Sequence, residues 1–260
     1  MATSQSQSLP LQDTVAIVTG SSRGIGREIA LHLASLGARL VINYNSNSAQ
    51  ADSVAAQINA NSTTPRAISL RGDVSDPVQV KSLFDSAEQA FDSPVHILVN
   101  SAGILDSAYP TIANTTLDSF DRTFNVNARG SFLCAKEAAN RLKRGGGGRI
   151  ILLTTSMAAA LRPGFGAYAA AKAAVEAMTK ILAKELKGTR ITANCVAPGP
   201  VATDMFFEGK TEEMVNRAVA ESPLERLGES KDIAPVVGFL VTDAAEWVNG
   251  QIVRVNGGYV

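Results

Sequence analysis

The sequence predicts an α/β fold: a single doubly wound domain with a seven-stranded parallel sheet and helices on both faces. Three observations carry that reading. Short runs rich in Val, Ile and Leu alternate with longer stretches of helical periodicity. Several of the runs are nearly continuous in apolar residues, as strands buried on both faces are. The chain's 260 residues suffice for one large domain with a well-buried core.

The strand candidates are Val15–Thr19, Leu40–Asn43, Ala67–Leu70, Val95–Asn100, Arg149–Thr155, Arg190–Ala197 and Gln251–Val255. After the first, Ile25, Ile29, Leu33 and Leu36 share one helical face, and Gly37 stops it. Later, Val175, Met178, Leu182 and Leu186 repeat the pattern, and Gly188 ends it. Gly145–Gly148 reads as a turn between a helix and a strand. The Ser/Gln-rich residues 1–11 read as a disordered tail, and 12–260 as the domain. Such alternation requires right-handed crossovers. Ligands of such sheets bind beyond the carboxyl ends of the strands, where strand order reverses.

Composition narrows the partners. Lys plus Arg equal Asp plus Glu at 24 each, so no broad field favours nucleic acid. No run of 18 apolar residues suggests a membrane span. The first dozen residues lack the apolar segment of a secretory signal and the arginines of a transit peptide. The ending NGGYV is not a peroxisomal signal. Cys134 and Cys195 sit in apolar runs and read as core residues of a reducing compartment, so the expected location is cytoplasmic. His32 follows Glu28 by four and reads as half of a solvated pair. His96 has no ligand-spaced neighbours, so no metal site is expected.

The most telling loop is TGSSRGIG, Thr19–Gly26. Thr19 ends a strand and Ile25 opens a helix, whose N-terminus presents free N–H groups and partial positive charge to phosphate. Gly20, Gly24 and Gly26, with Ser22, Arg23 and Ile25, therefore suit a dinucleotide, against the plainer reading of a strand-to-helix turn. The second strand ends VINYNSNS, with no acid to hold an adenosine ribose. Tyr44, Asn45 and Ser46 would not repel a 2′-phosphate, and Arg23 can pair with one. The expected cofactor is NADP(H).

Chemistry points to YAAAK, Tyr168–Lys172. Positions i and i+4 share a helical face, so the ammonium is expected to lower the phenol's pKa and make it an acid/base. A hydroxyl of LLTTS, Thr155 or Ser156, ends the fifth strand, where it can stabilise charge on a substrate oxygen.

These motifs, with the DV pair at Asp73 and Val74, NSAG, NVNARG, NCVAPGPVATDM and WVNGQIVRVNGG, resemble those of the short-chain dehydrogenase/reductase family over residues 12–258. Within it the chain is most similar to plant members that reduce aldehydes with NADPH. The resemblance implies a Rossmann domain and hydride transfer between NADP(H) and a carbonyl or alcohol. It implies Tyr168 as acid/base and Lys172 as pKa-lowering partner and ribose holder. Asn127 would hold a water relaying protons to Lys172. Asp73 and Val74 would contact adenine; Asn100, Ala102 and Gly103 would line the ribose region. Pro198, Gly199, Val201 and Thr203 would cover the nicotinamide. The family's catalytic serine falls at Thr155, with Ser156 the alternative, and the family's N-N-A-G reads NSAG here, with Ser101 second. A homo-oligomer, dimer or tetramer, is also implied, with Ala169, Ala170, Ala173 and Ala174 small enough for close helix packing.

The substrate loop is expected over about 200–225, with a lining of Met157, Leu161, Phe165, Met205, Phe206 and Phe207. No paired basic cluster marks these segments, so an anionic substrate is not favoured. A redox-neutral isomerase, a subunit of a heteromeric enzyme and a non-catalytic NADP-binding protein are the competing readings.

Overall fold

The computed structural model describes residues 9–60 and 62–260. Seven strands form one sheet: β1 (Val15–Thr19), β2 (Arg39–Tyr44), β3 (Ala67–Arg71), β4 (Ile97–Asn100), β5 (Arg149–Leu153), β6 (Thr192–Pro198) and β7 (Ile252–Val255). Their order is β3-β2-β1-β4-β5-β6-β7, and every pairing is parallel. The chain winds outward from β1 to β3, then returns to lay β4 against the other side of β1. The reversal leaves a crevice between the carboxyl ends of β1 and β4.

The helices are α1 (Gly24–Ser35), α2 (Ser48–Asn59), α3 (Pro77–Phe91), α4 (Leu117–Phe124), α5 (Gly130–Arg141), α6 (Met157–Ala160), α7 (Gly166–Glu185), α8 (Asp204–Phe207), α9 (Glu212–Ala220) and α10 (Ser230–Leu240). A π-helical turn, Asn125–Arg129, joins α4 to α5. Local chemistry starts several of them. Asp76 caps α3 by accepting from the N–H of Val78 and Gln79, with Pro77 in the first turn. Thr116, Thr203 and Thr211 cap α4, α8 and α9 in the same way.

Alternation along the strands divides the core into two layers. Ala16, Val18, Leu40 and Ile42 face α1, α2 and α10, while Val15, Ile17, Val41 and Leu98 face α3, α5 and α7. Four glycine positions make the expected turn before β5, three of them at positive φ. Cys134 and Cys195 are buried free thiols.

Two expectations change. Residues 1–8 of the expected tail lie outside the described residues, but Leu9–Leu11 belong to the domain. Leu11 is buried, and its N–H donates to the Leu36 carbonyl. His32 is not a solvated partner of Glu28. It packs against Gly238, where even a methyl group would collide with its ring, so α1 and α10 approach closely there.

Candidate active site

A cleft of about 870 Å³ opens where the strands end. Its wall collects the residues that follow β1, β3, β4, β5 and β6. Backbone geometry shapes one end. Gly20 and Gly24 have φ of +60° and +57°, in the left-handed region that glycine tolerates. A Cβ on Gly20 would lie 2.8 Å from Ala102 Cα. The turn delivers the chain into α1, whose cap residue Arg23 makes no side-chain bond to the helix. Ser22, Arg23, Gly24, Ile25 and Gly26 all line the cleft, as do Asn45 and Ser46. Neither α1 nor α2 carries an acid in its first turn, so the partial positive charge of both helix N-termini is not neutralised from within the helices. This end fits a dinucleotide with an extra phosphate. Arg23 is exposed and lies 3.4 Å from Asp204.

Asp73 and Val74, Ala102 and Gly103, and Pro198, Gly199, Val201 and Thr203 line the same cleft. Tyr44 and Asn100 do not, for two different reasons. Tyr44 leaves β2 on the opposite face from Asn43 and packs on the core. Asn100 is fully buried: it accepts from the Thr19 hydroxyl at 2.7 Å and donates to the Ser131 hydroxyl at 2.8 Å. The Thr19 oxygen in turn accepts from the N–H of Ser101 and Ala102, both at 3.1 Å. The Asn100 side chain thus fastens β1 and β4 at the crevice. Asn43 acts alike, accepting from the Gly20 N–H at 3.2 Å and donating to the Gly72 carbonyl at 3.0 Å.

At the other end, Tyr168 and Lys172 stand one turn apart on α7, and both line the cleft. Lys172 is buried and donates to the Leu153 carbonyl at 2.8 Å. Burial lowers its pKa to about 8. The Tyr168 phenol is raised rather than lowered as expected: burial dominates, and a hydrogen bond with Thr155 pulls the other way. The lysine's ammonium is committed to a carbonyl on β5.

The two hydroxyls after β5 point apart where the chain turns into α6, Ser156 having helical φ and ψ of −64° and −15°. Thr155 lines the cleft beside Tyr168. Ser156 is fully buried, donating to the Ala197 carbonyl at 3.1 Å and accepting from Asn256 Nδ2 at 3.0 Å. Asn127 also lies off the wall. Its amide is used twice on Ile104, accepting from the N–H and donating to the carbonyl, each at 2.8 Å. A Cβ on Gly103 would fall 3.2 Å from Asn127 Oδ1 and 3.4 Å from Lys172 Nζ. Asn127 therefore braces the 103–104 backbone beside the lysine, and its amide keeps one further N–H and one further lone pair.

Of the expected substrate lining, Met157, Phe165, Met205 and Phe206 face the cleft. Leu161 and Phe207 are exposed, and Phe207 stacks edge-on against Phe206. The wall also holds Arg162, Lys210 and Arg217, brought together from three separate segments. No local spacing announces that grouping.

A crevice at a strand-order reversal, with phosphate-ready helix ends and an acid, a cation and a hydroxyl beyond them, defines a dinucleotide-dependent oxidoreductase. Comparison with known proteins narrows the class. Residues 20–260 match a family model described as enoyl-(acyl carrier protein) reductase. An Arabidopsis thaliana protein named NADPH-dependent aldehyde reductase-like protein, chloroplastic, is 66% identical over 97% of this chain and 96% of its own length. Arabidopsis NADPH-dependent aldehyde reductase 2, chloroplastic, is 58% identical over 99% of both. A short-chain dehydrogenase from Burkholderia cenocepacia, solved in complex with NADP, superposes with a TM-score of 0.88. It is 36% identical and covers 96% of this chain and 99% of its own. The chain belongs to the short-chain dehydrogenase/reductase family.

The relatives correct one expectation. Both Arabidopsis names carry the word chloroplastic, which points to the plastid rather than the cytoplasm. Buried thiols without a disulfide do not choose among reducing compartments, so they were no guide here.

Proposed function

We propose that the protein reduces an aldehyde or ketone to the alcohol with NADPH, with Tyr168 as the proton donor. The observation that carries this reading is the convergence of Tyr168, Thr155 and Lys172 on one wall of the cleft whose opposite end suits a dinucleotide with a 2′-phosphate. When bound, NADPH supplies the hydride that the carbonyl carbon takes up. The chain supplies the rest. The glycine loop and the α1 N-terminus hold phosphate, Arg23 pairs with the 2′-phosphate, and Asp73 and Val74 wall the adenine side. Val201 and Thr203 cover the nicotinamide side.

The Thr155 hydroxyl donates to the carbonyl oxygen as negative charge grows on it. Tyr168, its pKa raised by burial, keeps its proton at neutral pH until the carbonyl oxygen takes it. A retained proton suits the reductive direction. Lys172, lowered to about 8, stands one turn away and stabilises the phenolate that results. Asn127 positions the backbone beside that lysine. The names of the Arabidopsis relatives and the NADP-bound Burkholderia structure support the same reading. Oligomerisation is part of it: of the four alanines expected on the packing face of α7, Ala170 and Ala173 are exposed and Ala174 half-buried, while Ala169 is buried in this chain's own core, and the nearby Ala177 adds to a small-residue face that a second copy could pack against as a dimer or tetramer.

The test is NADPH oxidation by the purified protein against a panel of aldehydes, ketones and quinones, run beside NADH. Turnover with NADPH several-fold faster than with NADH is expected. NADPH binding without oxidation of any panel member would refute the reductase reading.

A further inference from the structure

The three cations gathered at the substrate end are not equivalent. Arg162, before α7, and Arg217, on α9, both bond the carboxylate of Glu221, Arg217 at 3.0 Å. Lys210, between α8 and α9, has no carboxylate within 4.0 Å among the described residues. Asp204 is nearest to Arg23, and Glu208 acts on the Tyr109 phenol.

Lys210 is held by neutral groups alone. It donates to the Tyr109 hydroxyl at 2.5 Å and the Phe206 carbonyl at 2.7 Å. Its ammonium lies 4.5 Å from the centroid of each ring, Tyr109 and Phe206. An ammonium has three donors, so one is uncommitted. Lys210 is half-buried, and burial lowers its pKa. A partly buried charge without a counter-charge is costly, and an arriving anion relieves that cost. Tyr109 and Phe206 hold the ammonium in one place, which limits the entropy lost when it binds. The surrounding wall is apolar and polarisable, with Met205, Phe206 and Phe165.

On the reductase reading above, we propose that Lys210 is a specificity-determining residue. The substrate it selects is a carbonyl compound with an apolar body and a remote carboxylate. That reverses the expectation drawn from the sequence, where no basic cluster was visible.

Two probe aldehydes of similar shape test it: 4-carboxybenzaldehyde and its methyl ester, methyl 4-formylbenzoate. With the intact protein and NADPH, the acid's kcat/KM is expected to exceed the ester's by about tenfold or more, the size of one hydrogen bond to a charged group. Lys210→Met should bring that ratio near one, mainly through the acid's KM, and Lys210→Arg should keep a preference for the acid. Calorimetric binding of benzoate against benzamide reads the same contact without turnover. An equal or ester-favouring ratio in the unaltered protein overturns the proposal. So does a Lys210→Met variant that loses both substrates alike with the ratio preserved, since that marks a purely structural lysine. If neither aldehyde is reduced but benzoate binds in a Lys210-dependent way, the reductase reading falls and the anion site stands. If benzoate fails to bind as well, the anion site falls too.

Discussion

At the dinucleotide end of the cleft the wall is largely backbone. Gly20 and Gly24 turn at positive φ, and Asn43, Asn100 and Thr19 bolt the strand ends together with buried hydrogen bonds. At the substrate end the wall is long side chains on short helices: Met205, Phe206, Lys210 and Arg217 on or beside α8 and α9. The first end tolerates little change of shape, because a Cβ on Gly20 meets backbone. The second can be resurfaced one side chain at a time. A fold that holds its ligand on a rigid scaffold and varies function through its loops needs that division of labour. Tyr168, Thr155 and Lys172 stand where the two ends meet.

Substitutions at that meeting point should affect turnover without touching the dinucleotide end. Tyr168→Phe is expected to cut kcat by about 10²–10⁴-fold, the usual worth of a positioned acid. NADPH affinity, followed by its fluorescence, should change little. A variant that loses both together would mean that the two ends are not separable.

Next in size is the choice between neighbouring hydroxyls. Thr155→Val should lower kcat by about 10²-fold, as loss of a donor to a developing oxyanion does. Ser156→Ala should cost less in kcat and appear in the melting temperature instead, because Ser156 bonds Ala197 and Asn256 inside the core. The reverse ranking would move the catalytic role to Ser156.

Lys172 gives a prediction with opposite signs for activity and stability. Its pKa in the folded chain, about 8, lies below the 10.5 of an ordinary lysine. Between those values the unfolded chain holds a proton that the folded chain has lost, so stability from this group rises with pH across that window. Below about pH 8 both states are charged and the full cost is present, roughly 3 kcal/mol for such a displacement. Lys172→Met should therefore raise the melting temperature at pH 7 by a few degrees, even after losing the bond to the Leu153 carbonyl, while turnover collapses. Measured at pH 10.5, the gain should vanish. A variant less stable than the parent at pH 7 would show that burial of the ammonium is not the cost supposed here.

Smallest is Arg23→Gln, expected to reduce the preference for NADPH over NADH about tenfold, as loss of one charge-assisted contact does. Binding constants for the two dinucleotides check it. An unchanged ratio would leave Asn45, Ser46 and the α2 N-terminus to recognise the phosphate.

Much of this was legible in the sequence, for local reasons. Strands buried on both faces leave continuous apolar runs, so all seven could be found, within two residues of their ends. The glycine loop and the Tyr168–Lys172 pair are short-range patterns whose geometry follows from a turn and a helix. What failed depends on tertiary context. Tyr44 and Asn45 are adjacent, and only the direction in which the chain leaves β2 decides which of them meets the cleft. Asn100 and Asn127 belong to motifs, but their amides serve other protein groups. Arg162, Lys210 and Arg217 are scattered over 56 positions and become neighbours only once α7 and α9 are in place. The phenol of Tyr168 was read from its charged neighbour alone, but burial raises its pKa and the opposing pull comes from the Thr155 hydroxyl.

The buried chain from Thr19 to Asn127 has a sense of direction. The Thr19 hydroxyl gives its hydrogen to Asn100, Asn100 gives one to Ser131, and the Ser131 hydroxyl gives one at 2.6 Å to the Asn127 carbonyl. Two main-chain N–H groups fix the sender and a main-chain oxygen fixes the receiver, so the order cannot run backwards. Size alone therefore does not define an acceptable replacement within it. Aspartate at position 100 would fit the space of asparagine but break the grammar of the chain, since it has an acceptor where a donor must stand.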